Sequence, residues 1–299
     1  MVVDSTDGEV LETVRQVPLW FDHWEDIFSR FRPESELSRL NRSNGLPFTA
    51  SQELIDVLQL SQKMREKSLG TVTPLVLDAL IHSGYDADFD TMLATPRILL
   101  SNDLPLPPDS FDFELDSSTN QVWLPTGVHL DLGGFAKGWA AHKAMTRLSA
   151  MAPCLVNAGG DIAISGAQAD GAPWLIGVEN PLDPGENIAL VQVSGKGIAT
   201  SGKDYRHWLV NEQVQHHLID PWTGLPAVSD VFSATVIAAD VMIAETASKT
   251  AVIGGSENGR NWLDAQEDLA YLLQLENGKI MTNSLFERSL WSADGSIRQ

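Results

Sequence analysis

Apolar residues recur at helical spacing through Val10, Leu11, Val14 and Val17, then through Trp20, Phe21, Trp24, Ile27, Phe28 and Phe31. This pattern predicts a helix over 9–31, kinked or restarted at Pro18, which lacks an N–H donor. Pro33 ends it, and Ser35 can cap a short turn beyond. Thr49 and Gln52 suggest a capping box for a second helix over 51–68, with Leu54, Ile55, Leu58 and Met64 as its buried stripe and Gly70 as its stop. Thr73-Pro74 opens a short helix over 75–81. The stretch 83–113 is rich in Pro, Asp and Gly and reads as loop with short elements. Strand-like pieces follow on either side of Ser117–Asn120 and again at Val128–Leu130.

Phe135, Trp139, Ala140, Ala144 and Leu148 fall on one side of a helix, which places Gly133-Gly134 where a strand turns into it. Cys154–Ser165 reads as two strands joined at Gly159-Gly160, and Trp174–Glu179 and Ile188–Val193 as two more. Gly197–Gly202 is small, polar and flanked by glycine, which suggests backbone lying close to a ligand. A strand over 233–238 leads into a buried helix over 241–253, and Asn277-Gly278 marks a hairpin turn within 269–281. No long linker and no fixed-period repeat divides the chain. The expectation is one composite α+β domain over 1–299, with a mixed or antiparallel sheet and packed helices.

Charge narrows the choice of partner. The 299 residues carry a formal charge of −20, which disfavours nucleic acid and anionic membrane surfaces. No run of about 18 apolar residues predicts membrane insertion. Cys154 is the only cysteine, so neither a disulfide framework nor a thiolate metal cluster is expected. The first residues lack a basic n-region, an apolar run and a lipidation cysteine, and the expected location is cytoplasmic. GxGxxG, GxxxxGK[ST], HExxH, CxxC and GxSxG patterns are absent, which argues against a dinucleotide Rossmann unit, a P-loop, a zinc site and a nucleophile elbow.

The chemistry concentrates at glycine-containing turns. Gly133-Gly134 neighbours Asp131 and Lys137, and Gly159-Gly160 neighbours Asn157 and Asp161. Thr200 and Ser201 lie between Gly195 and Gly202, while His217 and Asp220 precede Gly224. Such turns can offer backbone N–H groups to an elongated phosphorylated ligand. His217 is the best proton-transfer candidate, but His207 and His216 compete with it, and chemistry alone leaves the three open. Glu245 and Lys249 stand four apart on a helix of mostly small apolar residues, where a charge pair is costly unless well matched.

Six stretches, in order over about residues 25–255, together resemble the ApbE family of FAD:protein FMN transferases. They are Phe28–Asn41, Asp131–Gly138, Val156–Ile162, Ala199–Gly202 with Tyr205-Arg206, His217–Gly224, and Ser233–Ala238. The resemblance implies a T-fold-like α+β domain that binds FAD in an elongated cleft. A threonine hydroxyl of an acceptor protein attacks the phosphorus on the FMN side, and AMP leaves. By this resemblance His217 assists the hydroxyl. Ser35, Glu36, Asp131, Gly133, Gly134, Lys137, Asn157, Gly159, Gly160, Asp161, Thr200, Ser201, Gly202 and Asp220 fall on nucleotide-binding motifs. The resemblance also implies magnesium, held here through Glu245 and Ala136.

Two positions depart from that pattern. The family's Asp and Thr, four apart, help bind magnesium; Glu245 and Lys249 replace them. A protonated lysine cannot ligate a cation, so the expectation is that the Lys249 ammonium, oriented by Glu245, stands in for the metal. The family's early Met-Gly-Thr strand also has no counterpart before the first helix. These departures keep a second function open: an FAD-binding protein without transfer, acting as a flavin carrier or a slow FAD pyrophosphatase.

Overall fold

The computed structural model describes residues 1–93 and 113–292. In chain order its elements begin with β1 (Val2–Val3), α1 (Gly8–Phe28), α2 (Glu36–Asn41), β2 (Phe48–Thr49), α3 (Gln52–Lys67), α4 (Leu77–His82) and α5 (Phe89–Leu93). There follow β3 (Glu114–Asp116), β4 (Gln121–Trp123), α6 (Ala136–Ser149), β5 (Cys154–Ala158), β6 (Asp161–Ile164), β7 (Trp174–Glu179) and β8 (Asn187–Val193). Next come β9 (Gly197–Gly202), β10 (His207–Val210), β11 (Gln213–His216), β12 (Ile219–Asp220), β13 (Leu225–Pro226), β14 (Val231–Ala238) and α7 (Val241–Gly254). A π-helical turn (Gly255–Gly259) leads into α8 (Arg260–Asp264), β15 (Ala270–Leu275), β16 (Ile280–Thr282) and α9 (Ser284–Ser289). No described helix is long and apolar enough to cross a membrane.

The backbone divides into two compact units, each built from separate stretches of chain. The first comprises residues 1–20, 137–202 and 229–299. Its main sheet has seven strands in the order β1-β5-β6-β9-β14-β15-β16, with antiparallel neighbours throughout. Leu155, Ile162, Ile198, Ile237 and Leu272 of that sheet pack with Trp174, Val191 and Phe286 in one core. Helix α7 lies against β9 and β14. Ala244, Ala247 and Ala251 are buried on it, and small side chains allow this close approach. The second unit comprises residues 21–136 and 203–228. It holds the three-stranded sheet β2-β4-β3, the hairpins β10-β11 and β12-β13, and a core of Leu80, Tyr85, Met92, Trp208 and Ile219.

Most predicted elements are present, and the exceptions have local causes. Helix α1 runs continuously through Pro18 and ends at Phe28, short of the expected residue 31. Helix α3 is capped by Ser51, whose hydroxyl accepts the Leu54 N–H, and not by Thr49. Val128–Leu130 is not a strand. Leu130 N–H donates to the Asn41 side chain and Asp131 N–H to the Pro74 carbonyl, so this part-buried stretch meets its hydrogen bonds without a partner strand. Gly133-Gly134 therefore follows irregular backbone, with α6 beginning at Ala136. Residues 94–112 of the expected loop lie outside the described residues.

Candidate active site

The sequence-predicted residues fall into two groups, one in each unit. In the first unit, Asp240 caps α7 by accepting the Ile243 N–H, and this fixes the start of the helix that carries Glu245 and Lys249. The Glu245 side chain is 1% exposed and that of Lys249 11% exposed. Glu245 Oε1 lies 2.8 Å from Lys249 Nζ and 3.7 Å from Lys137 Nζ. Its Oε2 accepts the Gly138 N–H at 3.2 Å. Lys137 is also paired with the buried carboxylate of Asp161. The result is an alternating cluster, Asp161–Lys137–Glu245–Lys249, with two carboxylates and two ammonium groups. Burial, and then the negative charge of Asp161, push the Glu245 carboxyl above its ordinary range against the pull of Lys249 and Lys137.

Around this cluster the turns differ in what they offer. Gly159 and Gly160 have φ of 65° and 97°, values that disfavour any side chain, and open space surrounds both. Asn157 Oδ1 accepts the Gly160 N–H and closes the turn just before Asp161. Thr200 is exposed and shares a hydrogen bond with Thr235, while Ser201 and Ser248 join hydroxyls inside. The glycine flank of this segment has a different cause from the one expected. Gly197 sits in a central strand, where a Cβ would overlap the backbone of Val241, so it serves helix–strand packing rather than approach to a ligand. Gly202 pairs with Ser233 in the same sheet.

In the second unit, Arg30 donates to the Tyr85 carbonyl at 2.7 Å, and its Nε lies 2.9 Å from Asp131 Oδ2. Its guanidinium also stacks over the rings of Phe31 and Tyr85. Burial lowers the Arg30 pKa and raises that of Tyr85. Asp131 Oδ1 meanwhile accepts the Gly133 N–H. Ser35 caps α2, and Glu36 Oε2 accepts the Ser51 N–H at 2.9 Å. Asp220 accepts the Trp222 N–H and shapes its turn.

The structure separates the three histidines. His216 is buried, with Nε2 against the Ala227 carbonyl and Nδ1 accepting the Leu218 N–H. His207 is exposed at the β10–β11 hairpin. His217 is half-buried with Nδ1 3.4 Å from the Arg206 carbonyl. Gly138, Arg30 and Tyr85 were not singled out in the sequence. A glycine inside a helix is itself a signal of close approach, whereas Tyr85 stands in a loop-like stretch with no periodicity to mark it.

Magnesium needs several oxygen ligands in near-octahedral geometry. Among the described residues no group of three or more His, Cys, Asp and Glu could hold a metal. Both Glu245 oxygens are met by N–H donors, and Asp161 is paired with Lys137. Ala136 opens α6 and has only its backbone carbonyl to offer as a ligand. The donor set does not fit a divalent cation.

The sequence profile of the ApbE family matches residues 5–273. The chain belongs to the ApbE family. A Vibrio cholerae relative named FAD:protein FMN transferase is 28% identical over 270 residues, covering 87% of this chain and 78% of the relative. One of the same name from Salmonella typhimurium is 26% identical over 285 residues, covering 93% and 80%. The ApbE fold is seen in the crystal structure of the ApbE protein from Thermotoga maritima, which superposes with a TM-score of 0.83 at 24% identity, covering 98% of this chain and 95% of that one. The flavin transferase ApbE from Vibrio cholerae superposes at 0.76 and 24% identity, covering 94% and 91%.

Proposed function

We propose that this ApbE-family chain is an FAD:protein FMN transferase that moves FMN from FAD to a threonine hydroxyl of an acceptor protein and releases AMP. The family match across residues 5–273 carries the reading, and the relatives of that name support it. Chemically this is phosphoryl transfer. A bond forms from the threonine oxygen to the phosphorus on the FMN side, and the bond from that phosphorus to the bridging oxygen breaks. The bridging oxygen leaves with AMP. Positioning and charge neutralisation supply most of the catalysis in such reactions.

His217 is assigned the threonine proton. In the tautomer that donates Nδ1–H to the Arg206 carbonyl, Nε2 is the nitrogen that takes the proton. Lys137 and Lys249 are assigned the positive charge that an anionic phosphate chain needs in a protein of charge −20. The test is the intact mass of a threonine-bearing acceptor peptide after incubation with the protein and FAD. An FMN-sized gain that disappears with His217→Ala is expected. Flavin binding without any gain in mass would replace this reading with that of a flavin-binding protein.

A further inference from the structure

We infer that the ammonium groups of Lys137 and Lys249 neutralise the nucleotide's diphosphate in place of a divalent cation, with Glu245 as the positioning residue that holds both lysines. The inference rests on the proposed use of FAD. Its basis is the pairing of both acids with ammonium groups. Glu245 is fully enclosed, and each of its oxygens already meets a donor: Lys249 at 2.8 Å on Oε1 and the Gly138 N–H at 3.2 Å on Oε2. A cation on Glu245 Oε1 would share that oxygen with the Lys249 ammonium, which is fixed one turn along the same helix on a side chain only 11% exposed. Left in place, it would repel the cation at close range in a poorly solvated setting, where charge interactions are strong.

The same geometry points outward at one place. Lys137 is 35% exposed, while Asp161 and Glu245 beneath it are buried. A phosphate oxygen can approach the Lys137 ammonium from this exposed side while Asp161 and Glu245 stay beside it. The open Gly159-Gly160 turn immediately precedes Asp161 in the chain. Lys249 lies deeper, 2.8 Å from Glu245, where its charge opposes the burial that raises the Glu245 pKa, and Asp161 together with Glu245 keeps Lys137 in place. The Lys249 ammonium thus stands beside Glu245 with the positive charge that a cation there would otherwise bring.

Two titrations test this on the full chain. In the first, FAD affinity is measured by fluorescence quenching in magnesium and in EDTA, for the native protein and for Lys249→Thr. Native affinity is expected to be the same in both, and Lys249→Thr is expected to bind more weakly in EDTA and recover with magnesium, by about tenfold as a metal–ligand coupling of ordinary size. A native affinity that drops about tenfold in EDTA overturns the inference. In the second, Mn2+ is titrated without nucleotide and followed by electron paramagnetic resonance. Stoichiometric, tight Mn2+ binding by the native protein also overturns it, whether or not Lys249→Thr folds. Failure of folded native protein to bind FAD in either buffer would instead remove the functional reading, and with it the diphosphate role of the lysines.

Discussion

A methyl group on Gly138 would fall 2.5 Å from Glu245 Oε2 and 3.6 Å from the Val241 carbonyl. In an unconstrained helix interior, Gly→Ala gains up to about 1 kcal/mol. Here the carboxylate cannot retreat, because Lys249 and Lys137 hold its other oxygen. Gly138→Ala is therefore expected to cost about 1–3 kcal/mol net, as overpacking does. Calorimetry would read this as a melting temperature lower by several degrees. Pairing it with Glu245→Asp, one methylene shorter, should restore part of the loss, and a double mutant no more stable than Gly138→Ala would refute the contact. The acid and the lysine were legible from their spacing alone, since residues four apart share a helix face. The glycine's constraint was not legible, because its partner lies 107 positions away.

At the scale of elements, α7 and β9 meet backbone to backbone. A Cβ on Gly197 would overlap Val241 N and Asp240 C, and neither can move without breaking the cap of α7 or the pairing of β9 with β6 and β14. Gly197→Ala should cost about 3 kcal/mol or more, against less than about 0.5 kcal/mol for Gly166→Ala, where a Cβ meets nothing within 4 Å. Urea unfolding of the two variants decides it, and equal midpoints would contradict the packing argument. Elements announced by local chemistry were readable: the Gly159-Gly160 and Asn277-Gly278 turns, the small-residue helix α7, and the stripe of α3. Those whose backbone is satisfied at a distance were not. Val128–Leu130 has the apolar look of a strand, yet Asn41 from another helix supplies its acceptor. Gly197 had the look of a ligand contact, and only the crossing helix reveals its use.

On the scale of the whole molecule, the family was legible because six weak motifs occur in one order, and the division into two units was not. The second unit is interrupted by residues 137–202, so no linker in the sequence marks a boundary. Net charge is the other global property, and it makes the last prediction. Forty acidic residues against twenty basic ones surround any approaching anion with repulsion, while the lysine cluster attracts only at short range. The screening length falls from about 30 Å at 0.01 M salt to about 8 Å at 0.15 M. Raising salt over that range removes most of the long-range repulsion and leaves contacts shorter than the screening length largely intact. The association rate of FAD, measured by stopped-flow flavin fluorescence, is therefore expected to rise with salt. A site whose approach is governed by local positive charge would behave in the opposite way, with association slowing as salt increases. A rate that falls would mean that the field of Lys137 and Lys249 reaches well beyond the cluster and outweighs the −20 of the chain in guiding the nucleotide in.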